Sequence, residues 1–71
     1  MKQAIATIRT GTGKLIKRRL PVTMHNEDMD NVVYYVLMRT AQIMAVIEAE
    51  DGLVLNIEWE EYNEQSKNNK N

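Results

Sequence analysis

The feature that most constrains the fold is one long apolar series in the middle of the chain. It begins at Met29, ends at Ile47 and repeats with the i, i+3, i+4 spacing of a helix over about five turns. The spacing predicts one amphipathic helix with an N-cap at Asn26 or Asp28 and a C-terminal cap at Gly52. The members of the series are Met29, Val32, Val33, Val36, Leu37, Thr40, Ala41, Ile43, Met44 and Ile47.

A second interpretation of residues 43–60 competes with this helix. The segment AVIEAEDGLVLNIEWE also fits a hairpin with an Asp-Gly turn, in which case the helix would end near Thr40. We favour the long helix, because residues 43–50 alternate poorly between apolar and polar and no helix-breaking residue follows Thr40.

The N-terminal segments KQAIATIR and KLIKRRLPVTM predict two strands of a hairpin. A three-residue loop, Gly11-Thr12-Gly13, places Ile8 opposite Ile16 and Ala4 opposite Leu20, with a positive φ at Gly13. A two-residue loop would pair apolar with basic positions, so the longer loop is preferred. Pro21 lacks an N–H, which predicts that the second strand lies at a sheet edge there or has ended.

The segment LVLNIEWEEY predicts a third strand, with Leu55, Ile57 and Trp59 on the core side and Val54, Glu58 and Glu60 on the other. The predicted fold is therefore α+β. It is a small ββαβ domain in which one long helix packs on one face of a three-stranded antiparallel sheet. The alternative is ββαββ, with a shorter helix and a second hairpin at residues 43–60. The predicted core is Ile8, Ile16, Leu20, Val22, Val33, Val36, Leu37, Met44, Ile47, Leu55, Ile57 and Trp59.

A chain of 71 residues allows one domain, which we place at residues 1–62, followed by a disordered polar tail at residues 63–71. So small a core is often completed by a disulfide, a metal or a second subunit. Cysteine is absent and there is one histidine, which leaves oligomerisation as the common solution. No secretion signal or long apolar run is evident, so we expect a cytoplasmic protein without a membrane partner.

The charges divide the chain into a basic beginning and an acidic remainder. Residues 1–20 carry six Lys and Arg residues and no acid, whereas residues 21–62 carry nine acids and Arg39 alone. In one interpretation the halves pair, with Lys17 and Arg19 facing Glu58 and Glu60 on the open side of the sheet. In the other, the basic hairpin contacts nucleic acid phosphates. The contacts would be Arg9, Lys14, Lys17 and Arg19. We prefer pairing, because the sequence pI is about 5.7 and the hairpin has no aromatic residue for base stacking.

Three motifs that could carry chemistry fail on spacing or context. GTGK lacks the glycine spacing and the following helix of a phosphate-binding loop. NEDMDN has Asn31 where a calcium loop needs glycine and Leu37 where it needs glutamate. His25 has no partner that the sequence identifies as a base or an acid. We therefore predict no catalytic site, metal or cofactor.

These observations favour a non-enzymatic protein-binding or regulatory module that self-associates and also contacts an unidentified protein. Apolar residues on an uncovered sheet face often mark an interface. The predicted partner surface is Ile5, Leu15 and Val54 on that face, with Tyr35 on the helix. The alternative function is nucleic-acid binding through the hairpin. The small size, the divided charge and the Asn/Lys-rich tail resemble small phage or mobile-element proteins.

Overall fold

The computed structural model describes residues 1–62, which form one antiparallel sheet and one long helix. The elements are β1 (Lys2–Arg9), β2 (Leu15–Met24), a 3-10 helix (Asn26–Asp30), α1 (Val32–Ala49) and β3 (Leu53–Glu61). The strand order is β2-β1-β3, so β1 is central and α1 connects the two edge strands. The predicted ββαβ fold is confirmed, and the second hairpin is wrong because α1 continues to Ala49. The predicted disordered tail at residues 63–71 lies outside the described residues.

The hairpin between β1 and β2 has the predicted three-residue loop. The Thr10 N–H donates to the Lys14 carbonyl at 2.8 Å, and Ile8 pairs with Ile16. Gly13 has a φ of 91°, a conformation that glycine adopts without the steric cost of a Cβ. The loop therefore sets the register that places Lys17 beside Thr7 and Arg19 beside Ile5.

An irregularity interrupts the pairing of β2 with β1 near Pro21. Gln3 pairs with Thr23 but Ile5 pairs with Arg19, so residues 20–22 of β2 lie opposite Ala4 alone. Proline is tolerated at such a bulge on an edge strand because no ladder N–H is required of it. The edge position predicted for Pro21 is confirmed, and β2 continues beyond it to Met24.

A second bulge, at Leu55, changes which side chains of β3 face the helix. Thr7 pairs with Asn56 and Ile8 pairs with Val54, which leaves Leu55 without an opposite residue on β1. Val54 therefore packs on the helix-covered core beside Ile8, while Leu55 is exposed. The predicted alternation is wrong for Val54 and Leu55, because the extra residue at the bulge shifts by one position which side chains face the helix. It is correct for Ile57 and Trp59, which pack against the core.

Helix α1 contacts the sheet through its smallest side chains. Ala41, Ala45 and Ala49 recur every fourth residue and are the buried residues of α1. They belong to one core cluster with Ala4 and Ala6 of β1. Small residues on both surfaces allow the helix to approach the sheet closely.

The close approach also selects the side of the helix that faces the sheet. Ile8, Leu20 and Val22 are buried, and Ile16, Leu37, Met44, Ile57 and Trp59 are half-buried around the core, as predicted. Four predicted core residues are instead exposed, namely Val33, Val36, Ile47 and Leu55. For the three on α1 the prediction is wrong because this helix is apolar on several sides, so spacing alone does not set its rotation.

The ends of α1 differ from the predicted caps. Asn26 and Asp28 lie in the 3-10 helix, and the N-cap is Asn31, whose Oδ1 accepts from the Val33 N–H at 2.8 Å. The C-cap is Glu50, with a φ of 55° and its N–H bonded to Ile47. Gly52 serves another purpose, because a Cβ on it would lie 2.6 Å from the Arg9 carbonyl oxygen. Glycine is thus required there for close backbone packing.

We expect Gly52→Ala to lower the free energy of unfolding by about 1–3 kcal/mol, because the clashing atom belongs to the backbone of β1 and cannot rotate away. Gly11→Ala is the matched control, since a Cβ there meets only the Asp51 carboxylate at an ordinary 3.5 Å. The control should stay within about 0.5 kcal/mol of the wild type. Urea titration followed by tryptophan fluorescence measures both changes, and equal effects would contradict this account of Gly52.

Candidate protein-interaction surface

The side of α1 that points away from the sheet is apolar and uncovered. We define the outer face of α1 as the seven exposed apolar or aromatic residues on that side. Their exposed fractions range from 40% for Val33 to 72% for Val32. The outer face consists of Val32, Val33, Tyr35, Val36, Ile43, Val46 and Ile47.

The outer face exists because α1 is apolar on two sides. The alanines of α1 face the sheet, and the helix contains two charged residues, Arg39 and Glu48. By length and composition the helix could cross a membrane, with 17% of its span buried inside the protein. A helix that is apolar all round is normally covered on all sides. The outer face is therefore the largest group of exposed apolar side chains on one element of the described structure.

The open face of the sheet carries two ion pairs that join its edge strands. Lys17 Nζ lies 3.1 Å from Glu58 Oε2, and Arg19 Nη2 lies 3.3 Å from Glu60 Oε1. Both pairs cross over β1, because β1 lies between β2 and β3. The predicted pairing of the basic and acidic halves is present, although between strands that are not neighbours.

These ion pairs cover Ile5, which the sequence placed in an exposed partner surface. Ile5 pairs with Arg19 on one side and Glu58 on the other, so the two bridges pass on either side of it. Only 5% of Ile5 is exposed. Long charged side chains bury apolar surface with their aliphatic stems while their charges stay in water. The expectation that Ile5 is uncovered is therefore wrong.

The remaining predicted partner residues divide between the two faces. Val54 is half-buried and packs on the helix-covered core because of the bulge at Leu55, so its predicted place on the open face is wrong. Leu15 is exposed at the hairpin end of the open face. Tyr35 is exposed on α1, with its ring edge-on to Tyr34 at 5.3 Å between centroids. The sequence analysis placed three of the other six outer-face residues in the core and assigned the remaining three to neither the core nor a surface. The signal that identifies them is the four-residue spacing of the alanines on the opposite side.

Two of the four predicted nucleic-acid contacts are engaged within the fold. Lys17 and Arg19 form the ion pairs above, and Arg19 also donates to the Gln3 side chain at 3.2 Å. Arg9 and Lys14 are exposed and form no ion pair among residues 1–62. Arg9 and Lys14 alone offer few phosphate contacts, and each neutralised phosphate adds a separate increment of affinity.

Titratable groups elsewhere do not converge on a site. In the described part of the chain, no group of three or more His, Asp or Glu residues could hold a metal ion. A shallow open cleft at the hairpin end combines Arg18 with Glu48, Glu50 and Asp51. His25 is exposed in the connection after β2.

One carboxylate, Glu61, is held at the end of the sheet that contains the N-terminus. Asn26 Nδ2 donates to it at 3.4 Å, and Lys2 and the amino group of Met1 each lie 3.4 Å from it. The Asn26 hydrogen bond, and then the contacts with Lys2 and the N-terminus, lower the pKa of Glu61 below its usual value. A lowered carboxyl pKa stabilises the fold at neutral pH, and this contribution is lost as the pH falls through the lowered pKa.

Comparison with protein-family models, curated proteins and solved structures gives no significant match to this chain.

Replacing Lys17 and Arg19 together by glutamate should lower the free energy of unfolding by roughly 1–2 kcal/mol, because two exposed ion pairs are lost and replaced by repulsion. The loss should shrink at high salt, which screens exposed charges. Adding Glu58→Lys and Glu60→Lys should restore most of it, since residues in contact couple in a double-mutant cycle.

The control for that cycle is Lys14→Glu, which changes the same charge on the same hairpin where the described residues form no ion pair. Its effect should stay within about 0.5 kcal/mol. Urea titrations at low and high salt measure the free energy of unfolding of the wild type and of each variant. A fourfold variant no more stable than the double reversal would show that the bridges do not couple.

Proposed function

We propose that this protein is a small non-enzymatic protein-binding module that self-associates through the outer face of α1. The observation that supports the proposal is the cluster of seven exposed apolar and aromatic side chains on a helix with two charges. Such clusters on a soluble domain mark interaction sites. A cytoplasmic location and an origin in a phage or mobile element stay predictions from the sequence.

The outer face is large enough for a specific interface. Its exposed fractions correspond to roughly 700 Å² of accessible surface, if a fully exposed residue of these types presents about 150–230 Å². A standard protein interface buries about 800 Å² on each partner. The pairing of two outer faces, with their flanking atoms, therefore reaches the usual size.

Charge at the ends of α1 favours a protein partner over an anionic one. The helix is bordered by acids at both ends, and Arg39 is the basic residue within it. These acids repel phosphate backbones and anionic lipid, whereas helices that lie on membranes usually carry Lys and Arg beside the apolar face. The bordering acids are Glu27, Asp28 and Asp30 before the helix, and Glu48, Glu50 and Asp51 at its end.

The thin core supports a second copy as the partner. Of the ten buried hydrophobic residues in the described structure, five are alanine, so the interior contributes little apolar burial for its size. Chains this small often gain stability by oligomerising.

Sedimentation equilibrium at micromolar concentrations should show a dimer for the wild type. A variant with both Val36→Glu and Ile47→Glu should raise the dissociation constant by about 100-fold or more, because two buried contacts are replaced by charges. Its helix content by circular dichroism should be unchanged, since both positions are exposed in the single chain.

The matched control is Leu15→Glu, because Leu15 has the same 62% exposure as Val36 but lies on the open face of the sheet. It should leave the dimer intact. A monomeric wild type would overturn self-association, and dissociation by Leu15→Glu alone would move the interface to the sheet. Wild-type binding to uncharged phosphatidylcholine vesicles, abolished by the double glutamate variant, would assign the outer face to a membrane instead.

A further inference from the structure

The two ion pairs leave the hairpin end of the open face uncovered. Three leucines are exposed there, and we call them, together with Arg9 and Lys14, the hairpin patch. We propose that the hairpin patch binds a short acidic segment of another protein, with apolar side chains between its acids. This site lies apart from the outer face of α1 and does not depend on self-association. The leucines are Leu15, Leu53 and Leu55, with exposed fractions of 62%, 61% and 44%.

The register of the sheet places part of the hairpin patch in one row across all three strands. Arg9 of β1 pairs with Leu15 of β2 on one side and with Leu53 of β3 on the other. Residues directly opposite each other in antiparallel strands point to the same face. Arg9 shares the face of Ile5, because side chains alternate along a strand. The row therefore sets one cation between two leucines that are two strand spacings, about 10 Å, apart.

The charges of the hairpin patch are not neutralised within the fold. Arg9 and Lys14 are exposed and form no ion pair among residues 1–62. Lys17 and Arg19, farther along the same face, are each held by a glutamate. A carboxylate flanked by apolar side chains complements a cation between exposed leucines, because it matches the charge while its neighbours cover the apolar surface. This charge complementarity selects an acidic ligand.

The size of the hairpin patch fits a linear segment better than a folded domain. Its three leucines expose roughly 300 Å² of surface, if a fully exposed leucine presents about 180 Å². That area is well below the ~800 Å² that each partner buries in a standard interface between folded proteins. An extended segment advances ~3.3 Å per residue, so about four residues cover the row from Leu15 to Leu53.

Acids on the helix side of the same end argue against an anionic membrane as the ligand. Glu48, Glu50 and Asp51 line the cleft at this end together with Arg18. These three acids balance Arg18 and the two cations of the hairpin patch, so the end as a whole carries no net positive charge. A flat membrane surface would meet the whole end, whereas a narrow segment on the open face contacts the hairpin patch alone.

Selection from a library of random peptides displayed on phage, each of about ten residues, tests the inference with the full chain as bait. Selected peptides should be rich in Asp and Glu, with large apolar residues between them. A synthetic copy of a selected peptide, followed by fluorescence anisotropy, should bind more tightly at low salt than at high salt, because salt screens exposed charges. Arg9→Glu and Leu53→Glu should each raise its dissociation constant by about tenfold or more.

Each of these variants has a matched control on α1. Arg39→Glu reverses another exposed cation, and Val46→Glu places a glutamate at a position that is 62% exposed, like Leu53 at 61%. Both controls should bind the peptide within about twofold of the wild type, because distant sites act independently. Val46 belongs to the outer face, so binding by Val46→Glu also separates this site from self-association.

A selection without enrichment in acidic residues would overturn the inference, as would peptides that bind Arg9→Glu and Leu53→Glu as tightly as the wild type. Sedimentation with phosphatidylserine vesicles should leave the wild type in solution. Vesicle binding that both variants abolish would assign the hairpin patch to an anionic membrane instead. A wild type that sediments as a monomer would overturn self-association and leave this inference standing, because the hairpin patch lies outside the outer face.

Discussion

The close approach of α1 to the sheet is the constraint on which the rest of the structure depends. Ala41, Ala45 and Ala49 meet Ala4 and Ala6 in one cluster of buried side chains. Leu37 and Met44 of the helix are partly buried against this cluster. Seven other large apolar or aromatic side chains of α1 are exposed and form the outer face.

The two sides of this domain are completed in different ways. On the open side of the sheet, ion pairs span the central strand and their aliphatic stems cover Ile5, while Leu15 and Leu53 at the hairpin end stay exposed. On the helix side, no described layer lies beyond α1 and the exposed residues are predominantly apolar. This difference is the physical reason for placing the self-association interface on the helix rather than on the sheet.

Local patterns in the sequence predicted most of the elements but not the surface. The three-residue loop with Gly13 follows from turn chemistry, and the long helix follows from its spacing. The predicted partner surface failed at Ile5, because burial by charged side chains from two other strands has no local signal. It failed at Val54, because a bulge is an insertion in the pairing of two strands and leaves single-strand alternation unchanged.

The sequence by itself determined the order of strands and helix, the hairpin register near the loop and the pairing of its basic and acidic halves. The first two depend on residue spacing along short segments, whereas the charge pairing joins residues 41 positions apart and follows from the alternation that puts both charge groups on the open face. Only the tertiary structure decided the rotation of α1 and the sides of Val54 and Leu55. These features depend on how distant surfaces pack together. A helix that is apolar on two sides could place either side against the sheet, and here the side with the small alanines packs against the alanines of β1.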